Sequence, residues 1–221
     1  MRERCCTRFI TMSSTLATIL CRRLGATLSL HKSVNKLIVL AISLVLIGKA
    51  AVADNNSLYQ VHIPLTTQHA TPETLDMYRG HPLLITMFYG SCPDVCPMLI
   101  MGMQGYEKQL DAKSRKQLRA LVVSFDARRD TAEKLQAIAI MHRADLKRWT
   151  FASAGEIDAR KLAALLGFQY REKPDGSYDH SILITLLDAE GHIVATTSKI
   201  NGDTQFAATL KLNASNPSPQ R

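Results

Sequence analysis

The chain has 221 residues, a formal charge of +8 and five cysteines. Eight of its 27 basic residues and one of its 19 acidic residues precede residue 54, which leaves nineteen against eighteen beyond that point. A folded part this close to neutral lacks the basic face that phosphate binding requires, so no nucleic-acid partner is expected.

The leader accounts for the basicity. Leu37 to Gly48, LIVLAISLVLIG, follows Lys32 and Lys36 and precedes Ala51-Val52-Ala53, a small-x-small pattern. This predicts an export signal over 1–53, with its apolar region at 37–48 and cleavage after Ala53. The run is short of the ~20 apolar residues that span a bilayer. An uncleaved anchor is therefore the second reading, and membrane contact is expected only through such a leader. Because the leader exceeds the usual length, we expect translation to start downstream, near Val34. Its Arg- and Ser/Thr-rich composition keeps a mitochondrial transit sequence as an alternative. Bulky Leu20 before Cys21 excludes a lipid-anchor signal there. The expected location is extracytoplasmic: a bacterial periplasm, or else the mitochondrial intermembrane space.

Residues 54–212 make one ordinary domain, followed by a Pro/Ser tail at 213–221. A chain of this size buries a core without disulfide staples. Cys92 and Cys96 are the only cysteines outside the leader, so their weight shifts towards chemistry.

In chain order, Tyr59–Leu65 alternates weakly and reads as a strand stopped at Pro64. Thr66–Gly80 is loop-like, with Pro72-Glu73 opening a short helical turn. Leu83–Tyr89 is unbroken apolar sequence, the pattern of a buried central strand. Pro97–Leu110 carries Leu99, Met103, Tyr106 and Leu110 near helical spacing, with proline at the first helical position. Leu118–Phe125 is a second core strand, and Asp126–Arg129 a loop. Asp130 and Glu133 form a capping-box pattern before a helix that runs to about Arg143. Arg148–Ala152 is a short strand. Ser153 and Glu156 open a further helix, which stops at Gly167. Ser181–Leu187 and His192–Thr197 flank the turn sequence Asp188-Ala189-Glu190-Gly191, a hairpin. A last helix covers Asp203–Leu212. This order predicts a three-layer α/β domain, thioredoxin-like, with a central mixed sheet and a C-terminal β-hairpin.

The two thiols sit where the first core strand turns into a helix, at the end of an open α/β sheet where ligands collect. Pro93 pushes Cys92 out of helical geometry. Cys96 stands at the helix mouth, where the dipole favours thiolate. Two thiolates on one short loop form an incomplete metal site, soft enough to select Cu(I) or Zn(II), which a neutral imidazole would complete. Such a three-ligand site leaves a position open for handing metal on. On the residues alone His62, His69, His81, His142, His180 and His192 compete for the third place. His142 and His192 read most simply as solvated, whereas His180 follows a polar loop and opens an apolar strand. Four other roles for the cysteines stay open: a structural disulfide, a metal-free thiol–disulfide reductase, a zinc centre of two cysteines and a histidine, and peroxidase chemistry at one reactive cysteine.

The chain resembles the SCO/SenC family of extracytoplasmic copper-binding thioredoxin-fold proteins. The resemblance is carried by Ser91-Cys92-Pro93-Asp94-Val95-Cys96-Pro97 and by Val123-Ser124-Phe125-Asp126 with Arg129-Asp130-Thr131. It continues in Tyr178-Asp179-His180-Ser181 before Leu187-Asp188-Ala189-Glu190-Gly191, and covers roughly 60–210. It implies that Cys92, Cys96 and His180 are copper ligands, with copper as Cu(I) or Cu(II). It also implies delivery of copper to the binuclear copper site of cytochrome c oxidase, or reduction of that site's thiols. The implied partners are a copper-accepting oxidase subunit and a thiol-reducing protein. On this reading the chain is a carrier rather than an enzyme, with extracytoplasmic thiol–disulfide reduction by Cys92 and Cys96 as the alternative. Ala127 and Ala132 stand where the family usually has proline, which bears on the loop between them rather than on the ligands. Asp126 is either an outer partner of the site or a loop cap, and Asp179 is expected to point away from it. Met98, Met101 and Met103 could offer thioethers to Cu(I), but their near-helical spacing reads as core filling.

Overall fold

The first segment does not form the strand that its alternation predicts. The computed structural model describes residues 56–92 and 95–216, the side chains of 95 and 96 excepted. In it the Ser57 hydroxyl accepts from the Tyr59 amide and starts a 3-10 turn over Leu58–Gln60. Strand structure begins only at Leu65–Thr67 (β1). Pro72–Glu73 (β2) is a two-residue edge strand rather than a helical turn. The turn comes later, as a 3-10 segment at Leu75–Tyr78.

Leu83–Phe88 (β3) is buried at every position and pairs on both sides, as its unbroken apolarity predicts. The following helix, Val95–Lys108 (α1), starts two residues before Pro97. Proline is tolerated there because the first-turn amides have no intrahelical partner. A separate short helix, Ala112–Gln117 (α2), was not anticipated. Asp111 caps it, its carboxylate accepting from the Ser114 amide at 2.8 Å. Arg119–Ser124 (β4) and Trp149–Ala154 (β5) flank Ala132–Met141 (α3).

Both expected capping boxes are replaced. Thr131, not Asp130, caps α3, and Asp130 turns into the protein instead. Ser153 remains in β5, so that Glu156–Leu166 (α4) begins behind Gly155 without a side-chain cap. The helix ends as expected at Gly167, which adopts the left-handed conformation at φ 71°.

Of the polar loop expected over Lys173–Asp179, residues 173–177 form a turn, while Tyr178–His180 (β7) is a strand that pairs with Tyr170–Glu172 (β6) in a separate hairpin. The strand expected from Ser181 therefore starts only at Ile184, as Ile184–Leu187 (β8), and pairs with Ile193–Thr197 (β9). Thr204–Ser215 (α5) closes the fold and runs past the helix end expected at Leu212. The leader and residues 217–221 lie outside the described residues.

The main sheet has the order β2-β1-β5-β4-β3-β8-β9, with β3, β4 and β5 parallel and the outer pairings antiparallel. Right-handed crossovers from β3 to β4 and from β4 to β5 place α1 and α3 on one face. The Gln104 side chain donates to the His142 carbonyl at 2.8 Å and holds the two helices together. Phe206 of α5 packs edge-on against Tyr106 of α1 at 4.9 Å, on the same face. The chain then runs back across the sheet towards β8 through α4, whose Ala159, Leu162, Ala163 and Leu166 cover the other face. The result is the mixed-sheet, three-layer α/β fold that the element order predicts, thioredoxin-like in its β3–loop–α1 unit and terminal β8–β9 hairpin. Away from the cysteines, buried Glu107 accepts from the Trp149 indole at 2.9 Å and pairs with Arg148, tying α1 to β5.

Gly90, between β3 and the cysteines, is fixed by close approach. A Cβ there would lie 2.6 Å from the Asp130 carboxylate and 2.9 Å from Ile138. Gly90→Ala should therefore destabilise the domain by about 1–3 kcal/mol in urea denaturation. Gly105→Ala serves as the control. Nothing lies within 4 Å of a Cβ at that helical position, and the change should stabilise by about 0.4–1 kcal/mol.

Candidate metal centre

β3 and β4 run side by side and end together, Phe88 opposite Ser124. The loops that leave their carboxyl ends, Tyr89–Cys92 and Phe125–Asp130, share one anchor. The Asp130 side chain is fully buried. Its Oδ2 accepts from the Gly90 amide at 2.7 Å and from the Ser124 hydroxyl, and its Oδ1 faces Lys134 Nζ at 2.8 Å. A buried carboxylate is tolerated when its lone pairs meet donors of this kind. Lys134 Nζ also donates to Ser91 Oγ at 2.9 Å, and Ser91 is the residue before Cys92.

The third wall is the β6–β7 hairpin. Strand alternation turns Tyr170, Tyr178 and His180 to one side, and Arg171 and Asp179 to the other. Phe125 stacks on Tyr170 at 4.3 Å, while Tyr89 meets Tyr178 edge-on at 5.1 Å and His180 at 5.7 Å. Phe168 lies nearly parallel to the His180 ring at 6.0 Å. On the outer side Asp179 pairs with Arg171, its opposite number in the register, at 3.1 Å, so it points away as expected. Arg129 pins the hairpin turn. It pairs with buried Asp126, donates to the Gly176 carbonyl at 2.7 Å and lies 5.3 Å from the centre of the Tyr178 ring. Asp126 thus organises its loop through Arg129, the second of the two roles considered for it.

These walls bring Cys92 and His180, 88 residues apart in sequence, to 3.8 Å between Sγ and Nε2. The other ring nitrogen, Nδ1, lies 2.9 Å from the Ser181 carbonyl oxygen. A carbonyl only accepts, so Nδ1 carries the proton. In the neutral ring the lone pair is then on Nε2, facing the sulfur. A metal bound by one thiolate and one imidazole at ordinary bond lengths holds S and N ~3.5–3.8 Å apart for angles between tetrahedral and trigonal. The separation of the pair matches that range for a soft metal ion. Cys96 is the second residue of α1, and its side chain lies outside the described residues.

The competing histidines are engaged elsewhere. His81 Nδ1 meets the Gln117 carbonyl at 3.0 Å and its Nε2 meets Arg119, before the amino ends of β3 and β4. His192 pairs with Asp188 at 2.9 Å, at the same far end. His142 is half-buried at the end of α3, so neither it nor His192 is simply solvated. His62 and His69 are exposed. Of the three methionines expected to fill the core, Met103 does so, but Met98 and Met101 are 49% and 62% exposed.

Sequence reasoning missed the aromatic shell and the Asp130–Lys134 anchor. Phe168-x-Tyr170 and Tyr178-x-His180, flanking Pro174-Asp175-Gly176, were a legible hairpin signal of period two. No comparable signal marked Asp130, whose position before a helix suggested a cap.

The SCO1/SenC family model matches residues 53–214. The chain belongs to the SCO1/SenC family. Among relatives, a Stutzerimonas stutzeri protein named for copper binding is 25% identical over 136 residues, 59% of this chain. Mitochondrial SCO2 of Saccharomyces cerevisiae is 26% identical over 137 residues, again 59% of this chain. The matched segment spans 65% of the first relative and 44% of the second. Among solved structures, Bradyrhizobium japonicum ScoI with copper bound has a TM-score of 0.59 and 26% identity. That match covers 69% of this chain and 98% of ScoI.

Two of the histidines that lie away from Cys92 are expected to contribute to the loss of stability at acid pH. Burial lowers the pKa of His81, assisted by the Arg119 charge, and burial alone lowers that of His142. Both therefore bind protons less readily folded than unfolded. Stability should be full above the unfolded value of about 6.5 and fall as pH drops below it towards the folded values. Chemical denaturation of the metal-free chain between pH 7.5 and 5 should show this slope, and His81→Gln should flatten it.

Proposed function

We propose that this protein binds copper through Cys92, Cys96 and His180 and delivers it, outside the cytoplasm, to an acceptor during cytochrome c oxidase assembly, at the binuclear copper site. The observation that carries the reading is the 3.8 Å approach of Cys92 Sγ to His180 Nε2, with Nδ1 tied to the Ser181 carbonyl. That arrangement presents a thiolate and an imidazole lone pair to one point. The names of the S. stutzeri relative and of ScoI add copper as the metal. Thiolate ligands favour Cu(I) over hard cations. Loading requires reduced cysteines and releases their protons, so it depends on redox state and pH. Delivery proceeds by ligand exchange: thiolates of the docked acceptor displace Cys92 and Cys96 in turn, with no change in the oxidation state of copper.

The test is copper stoichiometry and affinity of the reduced full chain beside Cys92→Ser, Cys96→Ser and His180→Ala. One copper per chain is expected. Each substitution should weaken binding by more than about tenfold to a hundredfold, the loss that removal of even a ligand's outer partner causes. No stoichiometric copper, together with a readily cycled Cys92–Cys96 disulfide, would overturn the reading in favour of a thiol–disulfide reductase. Unchanged affinity in His180→Ala would remove the imidazole from the site.

A further inference from the structure

Lys134 makes contacts that the fold alone does not require. It stands in the first turn of α3 with its side chain 34% exposed, yet its ammonium is turned inwards. An Asp–Lys pair at i, i+4 on a helix surface is normally solvated and contributes little. This pair differs in two respects. The carboxylate of Asp130 is fully buried, and the same ammonium reaches across to the loop that leads into the cysteines. An ammonium has three donors. Here two of them meet Ser91 Oγ at 2.9 Å and the Arg129 carbonyl at 3.4 Å, while the charge lies 2.8 Å from Asp130 Oδ1.

The backbone shows what this contact holds. The Gly90 amide is bound by Asp130 Oδ2, and the Cys92 amide folds back to the Tyr89 carbonyl at 3.3 Å. Gly90 is thus fixed through its backbone and Ser91 through its hydroxyl, both from Asp130 and Lys134 on the same side. The His180 wall is held by Arg129 and by the aromatic shell, to which Tyr89 at the start of the cysteine loop contributes. The 3.8 Å approach of Sγ to Nε2 depends on the two walls keeping their separation.

We propose that Lys134 is a positioning residue for the copper site: through Asp130 and Ser91 it clamps the loop so that Cys92 stands opposite His180 before metal arrives. The inference rests on the copper reading above and goes beyond it in assigning Lys134, Ser91 and Asp130 their part. Preorganisation of this kind lowers the ordering cost of binding.

The experiment uses the reduced full chain with Lys134→Met, Ser91→Ala, the double variant and Lys134→Arg. Asp130 is left intact because its loss would expose the sheet edge to unfolding. Two quantities are measured: Cu(I) affinity by competition with a chelator, and amide hydrogen exchange of the metal-free chain. Lys134→Met and Ser91→Ala should each weaken Cu(I) binding by about tenfold or more, within the range known for outer partners of metal ligands. The double variant should be no weaker than Lys134→Met, because Ser91→Ala removes only a contact that Lys134→Met has already removed. Lys134→Arg, which keeps the donors, should recover most of the loss. Exchange over residues 89–92 should accelerate at least tenfold, while β3 and β4 keep their protection. The clamp is overturned if exchange is unchanged, if the two losses add, or if Lys134→Met weakens binding and Ser91→Ala does not. If the unmodified chain takes up no copper, the copper reading fails, and hydrogen exchange still decides whether the clamp exists.

Discussion

The carboxylate of Asp130 is the constraint around which the site is arranged. It lies at the edge where β3 and β4 end, in a place too buried for an unpaired charge. The protein therefore has to deliver donors to it. Those donors come from the loop after β3, from the end of β4 and from α3, so satisfying one charge joins three segments. Gly90 belongs to the same requirement: its backbone can approach the carboxylate only because it has no side chain. The loop that carries Cys92 is consequently fixed by polar contacts at Gly90 and Ser91, in addition to the packing of Tyr89.

The opposite wall is built on a different principle. β6 and β7 form a separate two-stranded sheet, not hydrogen-bonded into the central one. Two short strands gain little stability alone, and this pair is held by ring-on-ring packing of Tyr170 and Tyr178 on Phe125 and Tyr89. Arg129 adds a contact to the turn. His180 rides on that hairpin, its ring set by Phe168 on one side and the Ser181 carbonyl at Nδ1. Arg129 reaches the hairpin from the loop that starts at Asp126, next to the residues that anchor the cysteines. The two walls therefore spring from adjacent points on one sheet edge.

This division explains what could be read from the sequence. The central strands were legible because burial on both faces leaves an apolar run that admits few alternatives, as in Leu83–Phe88. The thiol pair was legible from its place at a strand–helix junction. The terminal hairpin was legible from Asp188-Ala189-Glu190-Gly191. What failed was local polar chemistry with two possible outlets. Asp130 and Ser153 both carry good capping signals, but whether such a side chain caps a helix or turns inwards depends on the tertiary neighbours. For Asp130 the Gly90 amide and Ser124 hydroxyl outcompeted the helix end, and Thr131 took the cap. The β6–β7 hairpin was masked for the opposite reason. Its turn, Lys173–Ser177, is so polar that it hid the aromatic alternation on either side.

A site with one wall anchored by a buried charge and the other by aromatic packing responds unevenly to force. Breaking the Asp130 anchor exposes an ionised group from a fully buried position, which is costly. Sliding aromatic rings over one another loses contact gradually, without leaving a charge unpaired. If the walls separate when an acceptor docks, the movable one is therefore the hairpin with His180, and the cysteine loop stays in register with the sheet. On the proposed copper reading, His180 is thus the ligand carried by the wall that can give way, and Cys92 the one carried by the wall that stays with the sheet.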